Sequence, residues 1–132
     1  MLAKKYRLVT RDVHYLAKKQ RCLSFGCFGF FTVVQRYRSY NQFSVHVWLK
    51  VHKRAVQRNM LKRMLFSFLQ GKNAVEIPFG DKYYKVFVVV SKQGQSFLHN
   101  LVATKDRNAI KNEVLKEWSL SFSRLEKFLW KK

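Results

Sequence analysis

Apolar and polar side chains alternate most strictly between Phe43 and Lys50. One side of this segment carries Phe43, Val45, Val47 and Leu49, and the other carries Ser44, His46, Trp48 and Lys50. Because successive side chains of a strand point to opposite faces, the alternation predicts a half-buried strand. Residues 30–37 and 83–91 are rich in valine and aromatic side chains, which predicts two more strands. The second of these is apolar almost throughout and is typical of a strand covered on both faces.

Three other segments show apolar residues at helical spacing. Residues 10–20 predict a short helix that is opened by Thr10. Residues 54–71 predict a second helix, ended by Gly71, whose apolar stripe we expect to face the core: Val56, Met60, Met64 and Phe68. Residues 106–130 predict a third helix with this buried stripe: Ile110, Val114, Trp118, Phe122, Leu125 and Leu129.

The predicted order of elements is helix, strands, helix, strand, helix. Such an order favours an α+β fold in which helices pack on a mixed sheet as a two-layer α/β sandwich. The 132 residues contain one proline, no repeat and no low-complexity tract, so no linker divides them. We therefore expect residues 1–132 to form a single domain.

The chain has a strong excess of basic over acidic residues. It holds 27 Lys and Arg residues against 7 Asp and Glu, which gives a formal net charge of +20. Residues 1–63 carry 15 of these cations and one acid, Asp12. Self-repulsion of this size is typical of a protein whose partner is a polyanion, and nucleic acid is the expected one. The 48% hydrophobic and 16% aromatic content suffices for a packed core and excludes a disordered chain.

Several other classes of protein do not fit the sequence. Two cysteines, Cys22 and Cys27, are too few for a disulfide framework at this length, which favours a reducing, cytoplasmic location. The first residues lead into no apolar segment, and the apolar run 86–90 is too short to span a bilayer, so we expect no membrane partner. No glycine-rich phosphate loop follows Gly26 or Gly29, so we expect no small-molecule cofactor.

The predicted second helix carries the candidate function. At 100° per residue, one arc of about 80° opposite the apolar stripe contains Arg54, Arg58 and Lys62, which Asn59 extends, with Arg63 beyond it. Solvated helix faces usually mix Glu with Lys, whereas residues 13–75 contain no acid. The pattern therefore predicts a basic ridge whose guanidinium groups bind phosphate oxygens bidentately.

The same residues resemble a known motif. Residues 53–63, Lys-Arg-Ala-Val-Gln-Arg-Asn-Met-Leu-Lys-Arg, are similar to the Arg-Asn-Arg helix of the bacterial ribonuclease P protein component. Arg7 and Leu8 before the first helix, the strand 43–50 before the motif and the valine-rich segment 81–92 after it also resemble that family. The resemblance thus extends over nearly the whole chain.

The resemblance implies a fold and a function. The family fold is an α/β sandwich with a left-handed crossover, similar to the second domain of a small-subunit ribosomal protein. Its motif helix contacts the catalytic RNA of ribonuclease P, the endonuclease that matures the 5′ end of tRNA. That RNA performs the hydrolysis and binds most of the Mg2+, so the implied partners are the catalytic RNA and precursor tRNA. The implied RNA-binding residues are Lys50, Lys53, Arg54, Arg58, Asn59, Lys62 and Arg63.

The family also holds the 5′ leader of precursor tRNA in a cleft between the first helix and the sheet. The implied leader-cleft positions here are Arg11, His14, Tyr15, Lys18, His46 and Trp48. The family offers aromatic side chains from the helix and small ones from the strand, so this chain departs from it on both walls. Trp48 either stacks on a base or fills a groove. Met60 is a third departure, because the motif has its second Arg there.

The sequence gives little support for a metal site or for catalytic side chains. Cys22 and Cys27 form one Cys-x4-Cys pair, but a zinc site needs a second close pair, and buried reduced thiols fit better. Without a carboxylate cluster suited to two catalytic metals, we expect no catalytic side chain in this chain. The alternative function is a non-catalytic RNA-binding protein of the ribosome or its assembly, and only residues 55–63 argue against it.

Overall fold

A computed structural model describes residues 4–47, 54–104 and 106–130 of the chain. A short 3-10 helix, Lys4–Tyr6, comes first. The other elements are α1 (Thr10–Lys19), β1 (Leu23–Phe25), β2 (Phe28–Gln35), β3 (Gln42–His46), α2 (Ala55–Gly71), β4 (Tyr83–Val90), α3 (Lys92–Thr104) and α4 (Arg107–Trp130). The predicted α+β class is confirmed. In the described ranges, no helix has both the length and the apolar character needed to cross a membrane.

The strands in the described ranges form one four-stranded sheet in the order β1-β2-β4-β3. β2 pairs antiparallel with β1 and β4, while β3 pairs parallel with β4. Parallel neighbours need a crossover connection, and α2 supplies it between β3 and β4. β4 therefore lies inside the sheet, and residues 86–90 are all buried, as predicted for a strand covered on both faces.

Helices pack on both faces of this sheet. One face is covered by α2, α3 and α4, and its buried side chains include Phe28, Phe30, Val86 and Val88. On the other face, Leu16 of α1 packs against Phe87 and Val89. The predicted packing of helices on a sheet is confirmed, and the sheet separates α1 from the other three helices.

Trp118 of α4 lies at the centre of the larger core. Its side chain is fully buried, and its ring lies edge-on to Phe28 at a centroid distance of 4.9 Å and stacks on Phe30 at 5.8 Å. Phe122, one turn further along α4, lies 5.8 Å from the Trp118 ring. The whole stripe predicted for this helix is buried, so the helical period located its inner face correctly. Large aromatic side chains of this kind dominate core energetics.

The apolar stripe predicted for α2 is wrong by about one residue. Val56 is 75% exposed, and the buried side chains of α2 are Leu61, Leu65, Phe66 and Leu69. Met60, Met64 and Phe68 are half-buried and pack against the edge of that core, where they border α4. Two apolar ladders thus run side by side on the helix. Because they share the same four-residue spacing, periodicity alone cannot decide which one is deeper.

Two strands and one helix also differ from the sequence prediction. β2 starts and ends two residues earlier than predicted, while β1 and α3 have no predicted counterpart. α3 begins after Ser91, whose Oγ accepts a hydrogen bond from the backbone N–H of Gly94 at 3.1 Å, as an N-cap does. A Cβ on Gly94 would overlap the carbonyl oxygen of Cys27, so only glycine permits this approach. Gly94 disfavours helix in the sequence, but the packing of α3 against Cys27 requires it.

A buried asparagine joins the parallel strand pair to the loop that precedes β4. Asn41 is fully buried, and its Nδ2 donates to the carbonyl oxygens of Ala74 at 2.7 Å and Ile77 at 2.8 Å. Its Oδ1 accepts a hydrogen bond from the backbone N–H of Tyr84 at 2.8 Å. The residue before β3 is therefore tied both to the end of the crossover and to the start of β4.

The change Leu65→Ala tests the corrected inner face of α2. We expect it to lower the free energy of unfolding by about 2 to 5 kcal/mol, because truncation of a buried leucine leaves a cavity. The matched control Val56→Ala should change it by less than about 0.5 kcal/mol, because an exposed side chain has little packing to lose. Urea denaturation followed by circular dichroism measures both. A larger loss for Val56→Ala would show that the faces of α2 are reversed.

Candidate nucleic-acid interface

The first half of α2 carries the described residues of the predicted basic ridge. Arg54 immediately precedes the helix and is exposed, as are Asn59 and Arg63. Arg58 and Lys62 are half-buried. Three other residues predicted to bind RNA or its leader lie outside the described residues: Lys50, Lys53 and Trp48.

The predicted position of this ridge, opposite the buried side of α2, is wrong. Arg58 lies seven residues before Leu65, and Lys62 lies seven residues before Leu69. Seven residues are almost two whole turns, so each cation projects within about 20° of a buried leucine further along the helix. The buried residues of α2 begin only at Leu61. One side of the helix is therefore cationic in its first turns and apolar in its last.

His46 links this part of α2 to the sheet. It is the last residue of β3, and its side chain alternates with the buried Phe43 and Val45, so it projects to the face that α1 occupies. Burial lowers the pKa of His46 below its ordinary value of 6.5, and the positive charges of Lys62 and Arg58 lower it further. Each cation thus lies within electrostatic reach of the His46 ring. We call these three residues the β3–α2 cluster.

The β3–α2 cluster is suited to an anion. The charges of Arg58 and Lys62 both act on the His46 imidazole, and both are positive. A nearby phosphate would offset this repulsion, and the guanidinium of Arg58 can bind two phosphate oxygens at once. Phosphate contacts of this kind set the position of a nucleic acid on a protein and do not read its sequence.

The helix α1 presents four of the predicted leader-cleft residues on one exposed face. Arg11, His14, Tyr15 and Lys18 follow helical spacing, and all four are exposed, while Leu16 points into the sheet. Tyr15 also borders a cavity of about 300 Å³ between α1 and the sheet, with Val33 and Lys85 among its walls. Asp12 fixes the helix there through an ion pair with Lys85, in which the nitrogen and oxygen are 3.3 Å apart.

The turn between β2 and β3 is a basic and aromatic surface that the sequence prediction did not include. Arg36, Tyr37 and Arg38 are exposed, and the Tyr37 side chain is 97% exposed. The guanidinium of Arg38 lies 5.8 Å from the centre of the Tyr40 ring. The signal for this surface is the Arg-Tyr-Arg-Ser-Tyr alternation of residues 36–40, which is typical of single-strand binding surfaces.

The cysteines differ from each other in environment. Cys27 is buried, as expected, but Cys22 is exposed, so the expectation of two buried thiols is wrong for Cys22. Burial raises the pKa of the Cys27 thiol to about 11, helped by the Glu117 carboxylate, whose Oε2 accepts its hydrogen bond at 3.8 Å. A thiol with this pKa is protonated at neutral pH and is a poor nucleophile. Among the described residues, no group of three His, Cys, Asp or Glu side chains is placed to hold a metal ion.

The titration of His46 tests the β3–α2 cluster. We expect NMR to give a pKa below 6.5 for His46 in the free protein. Lys62→Gln should raise that pKa, because it removes a positive charge that disfavours the imidazolium. Lys116→Gln, which removes an exposed cation of α4, is the control and should leave it unchanged. Equal pKa values of His46 in the wild type and in Lys62→Gln would show that Lys62 does not belong to the cluster.

Alkylation of the two thiols tests the packing of Cys27. Near neutral pH, iodoacetamide should modify the exposed Cys22 and leave Cys27 largely unmodified, because the reactive thiolate of Cys27 is scarce. Peptide mass spectrometry after short exposure measures the two sites, and unfolding in urea should make them equally reactive. Faster modification of Cys27 in the folded protein would contradict its burial against Glu117.

Comparison with known proteins shows which solved structures have a similar fold. Family models and curated protein sequences gave no match. The Staphylococcus aureus RNase P protein superposes with a TM-score of 0.58 at 18% identity, over 88% of this chain and 97% of that one. The RNase P protein from Thermotoga maritima gives 0.59 at 20% identity, over 83% and 92%. A Staphylococcus aureus RNase P protein mutant with defective mRNA degradation activity gives 0.57 at 17% identity, over 76% and 84%. The chain therefore has the fold found in bacterial RNase P proteins.

Proposed function

We propose that this protein is the protein subunit of a ribonuclease P, a basic RNA-binding domain that assists a catalytic RNA in maturing the 5′ end of tRNA. The observation that carries the proposal is the position of the β3–α2 cluster. Its two cations, Arg58 and Lys62, lie in the first half of α2, within the segment that resembles the Arg-Asn-Arg motif, on a fold shared with RNase P proteins. The motif favours this function over that of a general nucleic-acid binder, whereas the net charge fits both.

The proposed contact with the catalytic RNA is made by the start of α2 and the residues before it. Arg54, Arg58, Lys62 and Arg63 bind phosphates and Asn59 adds an amide, and the proposed contact includes Lys50 and Lys53, which precede Arg54 in the chain. α2 is anchored in the core through Leu61, Leu65 and Leu69, so these cations are held on a rigid support. A rigid support lowers the entropy lost when the RNA binds.

The proposed contact with the 5′ leader of precursor tRNA lies on the other face of the sheet. His46 projects to the face that carries α1, and Tyr15 borders the cavity between α1 and that face. Arg11, His14 and Lys18 line the outer side of α1, and Trp48 follows β3. In this proposal the RNA performs the hydrolysis with Mg2+ that it mainly binds itself. The protein adds affinity and orientation and works in the cytoplasm.

Reconstitution with RNA tests the proposed function. The purified protein is added to a bacterial ribonuclease P RNA at low Mg2+, with a precursor tRNA that carries a 5′ leader. We expect faster cleavage, because the cations of the protein neutralise phosphates that otherwise repel each other. RNA binding without stimulation of any ribonuclease P RNA would contradict the proposal and favour a ribosomal RNA-binding protein.

A pair of charge variants locates the effect within this experiment. Arg58→Gln combined with Lys62→Gln should abolish most of the stimulation and reduce the slope of log affinity against log salt by about 0.7 to 0.9 for each phosphate that the variant no longer neutralises. Lys82→Gln combined with Lys116→Gln removes the same charge from exposed positions elsewhere. Equal losses in the two double variants would show that net charge, and not the β3–α2 cluster, drives binding.

A further inference from the structure

A groove between α2 and α4 lies on the face of the sheet away from α1. Its volume is about 440 Å³, within the range of about 300 to 1,000 Å³ that is usual for small-ligand sites. Four half-buried apolar side chains form its floor: Met60 and Met64 from α2, Phe68 from the same helix, and Leu115 from α4. The leader contact proposed above lies across the sheet and does not use this groove.

The floor of the groove combines a fixed ring with adaptable side chains. The Phe68 ring lies edge-on to Trp118 at 6.2 Å and to Phe122 at 5.9 Å, so the aromatic cluster of the core holds it in place. Met60 and Met64 stand one turn apart on α2. Methionine is flexible and polarisable and makes favourable sulfur contacts with flat rings. The floor therefore suits a flat, unsaturated group that is inserted from solvent.

The rim of the groove is cationic. Arg63 lies on the α2 side and Lys111 on the α4 side, both exposed, and none of the described residues that line the groove is acidic. Asn108, also on the α4 side, offers an amide that can donate to and accept from the edge of a base. Arg63 follows Lys62 of the β3–α2 cluster in the chain and lies 100° further around α2. The groove is therefore on another side of the helix from the cluster, and it adds a separate contact for the RNA.

We infer that this groove receives an unstacked nucleobase of the bound RNA, with Arg63 and Lys111 on the flanking phosphates. The inference rests on the proposed RNA binding and adds to it a site that contacts a base. Proteins commonly bind unpaired nucleotides by pairing a cationic track with apolar or aromatic surfaces for the bases. An apolar helix of a partner protein would cover the same floor but leave the two rim cations without counter-charges, so charge complementarity favours RNA.

The test compares a strand that has bases with one that lacks them. Fluorescence anisotropy measures binding of a short oligouridylate and of an abasic strand with the same backbone and length. We expect the wild type to prefer the oligouridylate by about tenfold, because one base leaves water for the groove. Met64→Gln should reduce that preference to roughly threefold or less and leave binding of the abasic strand unchanged, since it alters the floor alone.

A control variant and a second measurement complete the test. Leu120→Gln makes a similar apolar-to-amide change at a position of α4 that is 52% exposed and should keep the wild-type preference. In the wild type, photocrosslinking of an oligonucleotide that contains 5-iodouridine should label the groove residues, whether or not Met64→Gln folds. Crosslinks confined to Tyr15 and Tyr37 would overturn the inference.

The outcomes separate this inference from the proposed function. Salt-dependent binding of both strands with equal affinity would overturn the groove as a base site and leave the ribonuclease P proposal standing. If neither strand binds, and the protein also fails to stimulate a ribonuclease P RNA, both fall. A preference for bases that Met64→Gln and Leu120→Gln reduce equally would place the base contact elsewhere and overturn the inference.

Discussion

The hydrogen bonds of the Asn41 side chain fix the connection on which the rest of the fold depends. Both of its N–H donors and its carbonyl oxygen are used, by Ala74, Ile77 and Tyr84, in a site that water does not reach. β3 and β4 are parallel, so α2 must return the chain to the end of the sheet where β3 began. Asn41 stands at that end and closes the crossover. A buried amide without these partners would cost about 1 to 3 kcal/mol for each group, so the closure is specific.

The sequence correctly predicted the buried face of elements in which one continuous row of apolar side chains faces the core. The α4 stripe and the inward-facing Phe43, Val45 and Val47 are confirmed, because each has a single apolar ladder with no competing one beside it, while Leu49 of the predicted strand lies outside the described residues. α2 has two ladders, and the prediction chose the one that begins with the exposed Val56. The depth of Leu61, Leu65 and Leu69 depends on where the sheet and α4 lie, which no local pattern contains. α3 was not predicted, and its Gly94, a residue that disfavours helix, is required by the close approach of the Cys27 backbone.

The residue types of the candidate site could be predicted from the sequence, but their arrangement in space could not. The run of cations in residues 53–63 is visible in the sequence, but the proximity of Arg58 and Lys62 to His46 depends on how α2 packs beside β3. The structural role of Met60 could not be predicted from the motif. In the sequence it only replaces the second Arg of the motif, whereas in the fold its side chain forms part of the floor of a groove between α2 and α4.

The change of character along one side of α2 ties recognition to the integrity of the core. Arg58 and Lys62 share their direction with Leu65 and Leu69, so any rotation that moved the cations would pull leucines into water. The orientation of the cationic surface is therefore maintained by the hydrophobic free energy of the opposite end of the helix. A substitution that loosens the packing of Leu65 or Leu69 is therefore expected to change the direction of Arg58 and Lys62 as well.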